Sequence, residues 1–195
     1  AMPWNKLYRA DLAKQLQFDV QYTLGEDLQF VLDYIALLGQ TVPEFGYRVM
    51  TSPLLLSDCS RGGTLSTRYH ANYCDIWPKH FAKLNAACHA AACPAEDMRP
   101  LHRAELQVFA EGVADIMRRD PSPTQRLKGY KAEAALRSPW LRALLERMKI
   151  EHCYSAYYLP CRWRNVGLVC RVDEARRANA PLYGKLDWAG YYLLL

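Results

Sequence analysis

Two adjacent carboxylates open the first long apolar segment of the chain, and they are the side chains best placed to do chemistry. Glu26 and Asp27 follow Gly25 and precede a run in which apolar residues recur every three or four positions, which predicts a helix. One interpretation is structural, because acidic side chains at a helix N-terminus satisfy free backbone N–H groups and complement the helix dipole. The other is a general base that takes a proton from an attacking hydroxyl. Since a helix N-terminus lowers the pKa of a carboxylate, we expect this base to be ionised at neutral pH.

The elements around the acidic pair predict an α+β fold that is mostly helical. A short strand is expected at Asn5–Tyr8, ahead of a helix at Asp11–Leu16. The helix that begins at the acidic pair is expected to stop at Gly39, and short strands are expected at Thr41–Val42 and Tyr47–Thr51. These strands would return the chain towards the pair.

From Thr67 onward the pattern is helical. Pro78 lies inside the first of these segments and should kink or divide it. A second helix is predicted from about Pro100 to Arg119, and a third with Ser138 as its N-cap. The apolar stripes of these two helices are Leu106, Phe109, Val113 and Ile116, and Leu141, Leu144, Leu145 and Met148. We expect both stripes to be buried in the core.

The loop at residues 57–66 is rich in turn residues and carries one basic side chain, Arg61. It is either a solvated connector or a substrate-facing loop, in which Arg61 would hold a phosphate or an acidic sugar. Cys88, His89 and Cys93 lack a second pair of ligands, so no zinc site is predicted. No catalytic role is assigned to the histidines, which are His70, His80, His89, His102 and His152.

The composition bounds the class of protein. With 195 residues, of which 51% are hydrophobic and 23% charged, the chain is long and apolar enough to bury a core. Its net charge of +5 favours anionic partners, but no nucleic-acid motif accompanies it, so nucleic acid is not expected. The seven Cys and the lack of a signal peptide predict reduced thiols in the cytoplasm, with peripheral contact to the inner face of the membrane as the alternative.

The C-terminal section, residues 152–195, interleaves aromatic and basic side chains. Such a surface can stack on sugars or bases, or it can be a helical layer whose Arg stems cover the core, and we favour the second interpretation. The apolar end, residues 191–195, is expected to dock on the core or on a second copy of the chain, which would make a homo-oligomer.

The N-terminal motifs resemble a known family of enzymes. Trp4-Asn5-Lys6-Leu7-Tyr8-Arg9, then Phe18, then Gly25-Glu26-Asp27-Leu28-Gln29-Phe30, are similar to the middle of bacterial family 2 glycosyltransferases. Weaker similarity to the same family follows at Gly46-Tyr47-Arg48 and at Arg61-Gly62-Gly63-Thr64-Leu65-Ser66. The resemblance covers residues 2–68 and implies a partial GT-A acceptor half, followed by a helical C-terminal region at residues 69–195.

The resemblance also implies a reaction and its residues. Family members transfer a sugar from a nucleotide donor to an acceptor hydroxyl with inversion, in polysaccharide or cell-envelope glycan synthesis. The matching positions make Asp27 the catalytic base with Glu26 beside it, and they make Trp4, Tyr47, Arg48 and Arg61 acceptor-binding residues.

The donor side of the reaction has no counterpart here. A complete family member is expected to use Mg²⁺ or Mn²⁺ with a nucleotide-sugar, held by an Asp-x-Asp motif, and the 195 residues contain none. We therefore expect no cofactor in this chain and little activity from it alone, with the nucleotide-binding half supplied by a separate polypeptide. Ala1 is interpreted as a residue left by a cleaved tag, with Met2 the encoded start. The alternative is a non-enzymatic interaction or scaffold module derived from such a transferase.

Overall fold

A computed structural model describes residues 7–19, 22, 24–42, 68–179, 181 and 183–185. This part of the chain contains no strand, and residues 181 and 183–185 are helical in addition to the eight helices named next. The helices are α1 (Ala10–Ala13), α2 (Glu26–Thr41), α3 (Tyr73–Ala90), α4 (Ala95–Arg119), α5 (Gln125–Leu136), α6 (Pro139–Ile150), α7 (Tyr158–Arg162) and α8 (Val166–Arg177). No helix in these ranges combines the length and the apolar character needed to cross a bilayer.

The expected α+β class, with a partial GT-A acceptor half, is wrong for the described chain, which is all-helical. Leu7 to Arg9 form no strand, and Thr41, expected to start one, is the last residue of α2. Gly39 does not stop this helix. Val42 N–H donates to the Leu38 carbonyl at 2.8 Å, so the main-chain hydrogen bonds of the helix continue past Gly39, and the Thr41 hydroxyl donates to the Leu37 carbonyl. The strand expected at Tyr47–Thr51 lies outside the described residues.

The chain divides into two compact units, and each is described by itself. The first comprises residues 1–68 and 79–91, and the second comprises residues 69–78 and 92–195. The helix α3 contributes residues to both units, because the boundary between them falls directly after Pro78, which lies inside this helix.

In the first unit, α1 packs on α2, and Leu12, Phe30 and Val31 are buried. His80 from the second part of α3 is fully buried in the same unit and takes the neutral form. Its Nε2–H donates to the Leu24 carbonyl at 2.8 Å, and its Nδ1 accepts from the Gln29 amide. Burial lowers the pKa of His80, which agrees with these hydrogen-bonding roles.

In the second unit, α4 is the central helix and packs against α5, α6 and α8. Both predicted apolar stripes, on α4 and on α6, are buried as expected. The predicted start of α6 is confirmed, because the Ser138 hydroxyl accepts from Leu141 N–H at 3.3 Å and Pro139 is the first helical residue. The predicted end of α4 at Arg119 is confirmed too, although the helix begins at Ala95, before Pro100.

A buried carboxylate links α4, α7 and α8. Asp173 is fully buried and accepts hydrogen bonds from Arg118, Arg176 and Arg177, while the Tyr157 hydroxyl donates to it at 3.4 Å. Burial alone would raise the pKa of Asp173, but the hydrogen bonds from Arg118 and Arg177 lower it. Asp173 is therefore an ionised centre of this core.

Candidate functional site

The two strongest parts of the family-like pattern pack against each other in the first unit. The Tyr8 ring meets the Phe30 ring edge-on at 5.6 Å and the Tyr34 ring at 4.7 Å. Phe18 stacks on Phe30 from 4.6 Å. The Arg9 backbone N–H donates to the Tyr34 hydroxyl at 2.9 Å. Aromatic pairs in these geometries stabilise contacts beyond their buried area, so they fix the segment that contains Tyr8 onto α2.

Gly25 sets the position of the acidic pair. It is the N-cap of α2 and has φ +79, in the left-handed region that glycine enters without strain. A Cβ added there would lie 2.9 Å from His80 Cδ2 and closer still to Nε2. The Gly25 carbonyl accepts from the N–H groups of Leu28 and Gln29, which starts the helix immediately after the turn. Glu26 and Asp27 thus occupy the first turn of α2, as the sequence predicts.

Asp27 is not acting as a cap. Among the described residues, its carboxylate has no hydrogen-bond or ion-pair partner, and it is half-buried. The pKa of Asp27 is raised, first by burial and then by the charge of Glu26. The expectation of a lowered pKa is therefore wrong, because desolvation and like-charge repulsion outweigh the helix dipole here.

Tyr8 is the aromatic neighbour of this carboxylate. The charge of Asp27 helps to raise the pKa of the Tyr8 phenol, after burial and Tyr34. The Tyr8 hydroxyl is buried and has no hydrogen-bond partner among the described residues. This carboxylate and this phenol, each without a partner among the described residues of the first unit, are groups whose hydrogen bonds an added hydroxyl compound could satisfy.

The predicted acceptor-binding residues do not enter this geometry. Trp4, Tyr47, Arg48 and Arg61 all lie outside the described residues, so their roles stay predictions. Of the expected site, the described structure contains Glu26 and Asp27.

A second cluster of reactive side chains lies in the second unit, and sequence reasoning missed it. His102 Nδ1 lies 2.5 Å from Glu151 Oε2, and the Cys153 thiol donates to the same oxygen at 3.6 Å. Arg147 donates to His102 Nε2 at 3.4 Å. Because about fifty residues separate His102 on α4 from the segment after α6, no local spacing could have indicated the cluster.

Metal ligation is one chemistry that these three side chains could perform. Among the described residues they form the one group of Cys, His and acidic side chains compact enough to hold an ion, and Cys88, His89 and Cys93 form none. The surroundings disfavour a cation. Arg147 donates a hydrogen bond to the His102 ring, and the charges of Arg99 and Arg103 are close enough to lower the pKa of Cys153. Three guanidinium groups around one carboxylate repel a dication.

Neither a protein-family model, nor a curated protein, nor a solved structure matches this chain. The resemblance to family 2 glycosyltransferases therefore rests on the quoted motifs and on no overall match.

Proposed function

We propose that this chain is the acceptor-activating part of a family 2-like glycosyltransferase, with Asp27 as the general base. The observation that carries the proposal is the packing of Tyr8 and Phe18 on Phe30, which joins the separated motif segments. They lie in the same unit as the Asp27 carboxylate, which has no partner within the described ranges. The proposal does not depend on a sheet. It depends on the local arrangement at the start of α2.

The chemistry assigned to Asp27 is proton transfer. In the proposed reaction, an acceptor hydroxyl oxygen attacks the anomeric carbon of the donor sugar and forms the new glycosidic bond with inversion. The bond from that carbon to the nucleoside diphosphate breaks, and the diphosphate leaves with the electron pair. Asp27 takes the hydroxyl proton as the oxygen attacks. Its raised pKa makes it a stronger base than an ordinary aspartate.

Glu26 has a different role in this proposal. It lies beside Asp27 in the first turn of α2, and its negative charge contributes to the raised pKa of Asp27. Glu26 is therefore a positioning and tuning residue.

The residues of this chain do not fit a diphosphate-bound metal. An Asp-x-Asp pair would place carboxylates at alternate positions, whereas the second position after Asp27 is Gln29, which hydrogen-bonds His80. We therefore assign the nucleotide-sugar and its Mg²⁺ or Mn²⁺ to a separate nucleotide-binding half, and these 195 residues to the carbohydrate acceptor.

The test is transfer in a reconstituted system. The chain is mixed with the nucleotide-binding half of a family 2 glycosyltransferase, Mn²⁺, a nucleotide-sugar panel and an oligosaccharide panel, and product is measured by mass spectrometry. We expect product only with both halves present, and a loss of at least about a hundredfold in Asp27→Asn, the scale of general-base catalysis.

A matched control removes the same charge from the same helix. Asp33→Asn changes a surface carboxylate of α2 that pairs with Lys83, and it should leave transfer unchanged. Equal activity of Asp27→Asn and the unaltered chain would exclude Asp27 as the base. Oligosaccharide binding without product in any combination would instead favour the scaffold module. Micromolar binding of a nucleotide-sugar by this chain alone would refute the assignment of the donor to a separate half.

A further inference from the structure

A cavity of about 480 Å³ opens in the second unit, beside the cluster of His102, Glu151 and Cys153. This volume is in the range of sites that hold small molecules. One wall is a face of α4, where Arg99, Arg103 and Gln107 follow one another at intervals of four residues. The segment after α6 also lines the cavity, with Cys153 and Ser155.

Two basic side chains, Arg99 and Arg103, line the cavity together with the exposed Glu96 in the first turn of α4. The charges of both arginines lower the pKa of Cys153, whereas the neighbouring Glu151 carboxylate raises it. The thiol does not cancel them, because burial raises the pKa of Cys153 to about 12 and keeps the group neutral. The Arg99 guanidinium can offer a planar fork of N–H donors to a phosphate, and the charge of Arg103 one helical turn away adds to the attraction.

Ser155 provides an independent indication of a ligand. Its side chain is 5% exposed, and its Oγ is buried without a hydrogen-bond partner in the described chain. A buried hydroxyl without a partner destabilises the folded protein, and such groups are uncommon. Because Ser155 lines the cavity, a ligand hydroxyl or phosphate oxygen could supply the missing hydrogen bond.

We propose that this cavity binds a small phosphorylated polyhydroxy compound, with its phosphate between Arg99 and Arg103 and an oxygen hydrogen-bonded to Ser155. Gln107 and Glu96 then face the remaining hydroxyl groups, since an amide can donate or accept and a carboxylate accepts from hydroxyls. The site lies within the second unit and is independent of the role assigned to Asp27.

The test is calorimetry on the full chain with three probes: glucose 6-phosphate, inorganic phosphate and glucose. We expect glucose 6-phosphate to bind more tightly than inorganic phosphate, and glucose not to bind. Arg99→Ala should weaken glucose 6-phosphate at least about tenfold, because it removes a charge-assisted hydrogen bond. Arg99→Lys keeps the charge without the planar fork and should give an intermediate affinity.

Two controls keep the test decisive. Arg171→Ala removes an equal charge from the exposed surface of α8 and should leave affinity unchanged. Ser155→Ala should weaken binding severalfold without lowering the melting temperature of the free protein, which separates loss of a ligand contact from loss of folding. If Arg171→Ala and Arg99→Ala weakened the binding of glucose 6-phosphate equally, the overall charge of the protein would explain the loss, and the proposal would be overturned. Failure of glucose 6-phosphate to bind at millimolar concentration would overturn it too, as would zinc binding that Cys153→Ser abolishes and Arg99→Ala leaves intact.

Discussion

Replacing Gly25 by alanine tests the turn that positions the acidic pair. An alanine at φ +79 is in the left-handed region, which costs about 1–2 kcal/mol for a residue with a Cβ. The new Cβ would also push the His80 ring out of its place, since real Cβ atoms do not approach neighbours as closely as 2.9 Å. The displaced ring loses its hydrogen bond to the Leu24 carbonyl, which leaves a buried group without a partner at a further cost of about 1–3 kcal/mol. Together these effects predict a loss of about 2–5 kcal/mol in the stability of α2.

Hydrogen exchange followed by mass spectrometry measures this loss locally. Peptides from α2 should exchange roughly thirtyfold to several thousandfold faster in Gly25→Ala, since about 1.4 kcal/mol corresponds to a factor of ten. Gly129→Ala is the matched control, because Gly129 lies inside α5 and an added Cβ there meets no atom within 4 Å. This control should slow exchange in α5, by about 0.5–1 kcal/mol of added stability. Unchanged exchange of α2 in Gly25→Ala would refute both the left-handed turn and its contact with His80.

Other predictions concern the second unit. Asp173→Asn should destabilise it by about 3 kcal/mol in urea denaturation at neutral pH, the low end for breaking a buried pair because its Arg partners are partly exposed. The folded pKa of Asp173 is lowered, so its stabilising effect is present above the ordinary Asp pKa of about 3.9 and is lost as the pH falls further. The difference in unfolding free energy between Asp173→Asn and the unaltered chain should therefore become smaller in acid. Gly112→Ala should also destabilise, because its Cβ would lie 2.9 Å from Cys74 Sγ and closer still to the Tyr73 ring, and circular dichroism melting would measure the loss. Ser155→Ala should raise the melting temperature in the same assay, because it removes a buried hydroxyl without a partner.

Local signals in the sequence predicted the helices of the second unit well. Ser138 and Pro139 are a cap and a first-turn residue whose effects depend on their immediate neighbours, and both act as predicted. The end of α4 is similarly local, since Pro121 follows Asp120 and cannot continue the helix.

The strand predictions failed where local preference was overridden. Thr41 favours strands as a β-branched residue, and Gly39 commonly ends helices, yet α2 runs past Gly39 and includes Thr41. The main-chain hydrogen bond from Val42 N–H to the Leu38 carbonyl carries the helix through both residues. Such a bond cannot be read from residue type alone.

The candidate site was predictable only in part, because some of its residues are far apart in the sequence and meet only in the folded chain. The acidic pair was found because it sits at a helix start that local spacing indicates. The cavity depends on Ser155 meeting a face of α4 about fifty residues earlier, and nothing in the neighbourhood of Ser155 signals that contact. The raised pKa of Asp27 was missed likewise, because burial is a property of the fold.

The central claim is that Asp27 is a half-buried carboxylate whose surroundings make it a stronger base, and a carboxyl ¹³C NMR titration of the chain tests it most directly. The Asp27 carboxyl resonance is identified by its disappearance in Asp27→Asn. Asp11, whose pKa is lowered by its hydrogen bond from Arg9, is the internal reference. We predict that Asp27 titrates above the ordinary Asp value and Asp11 below it. Titration of Asp27 at or below the ordinary value would show a capping carboxylate in contact with the helix N-terminus, and it would contradict the account.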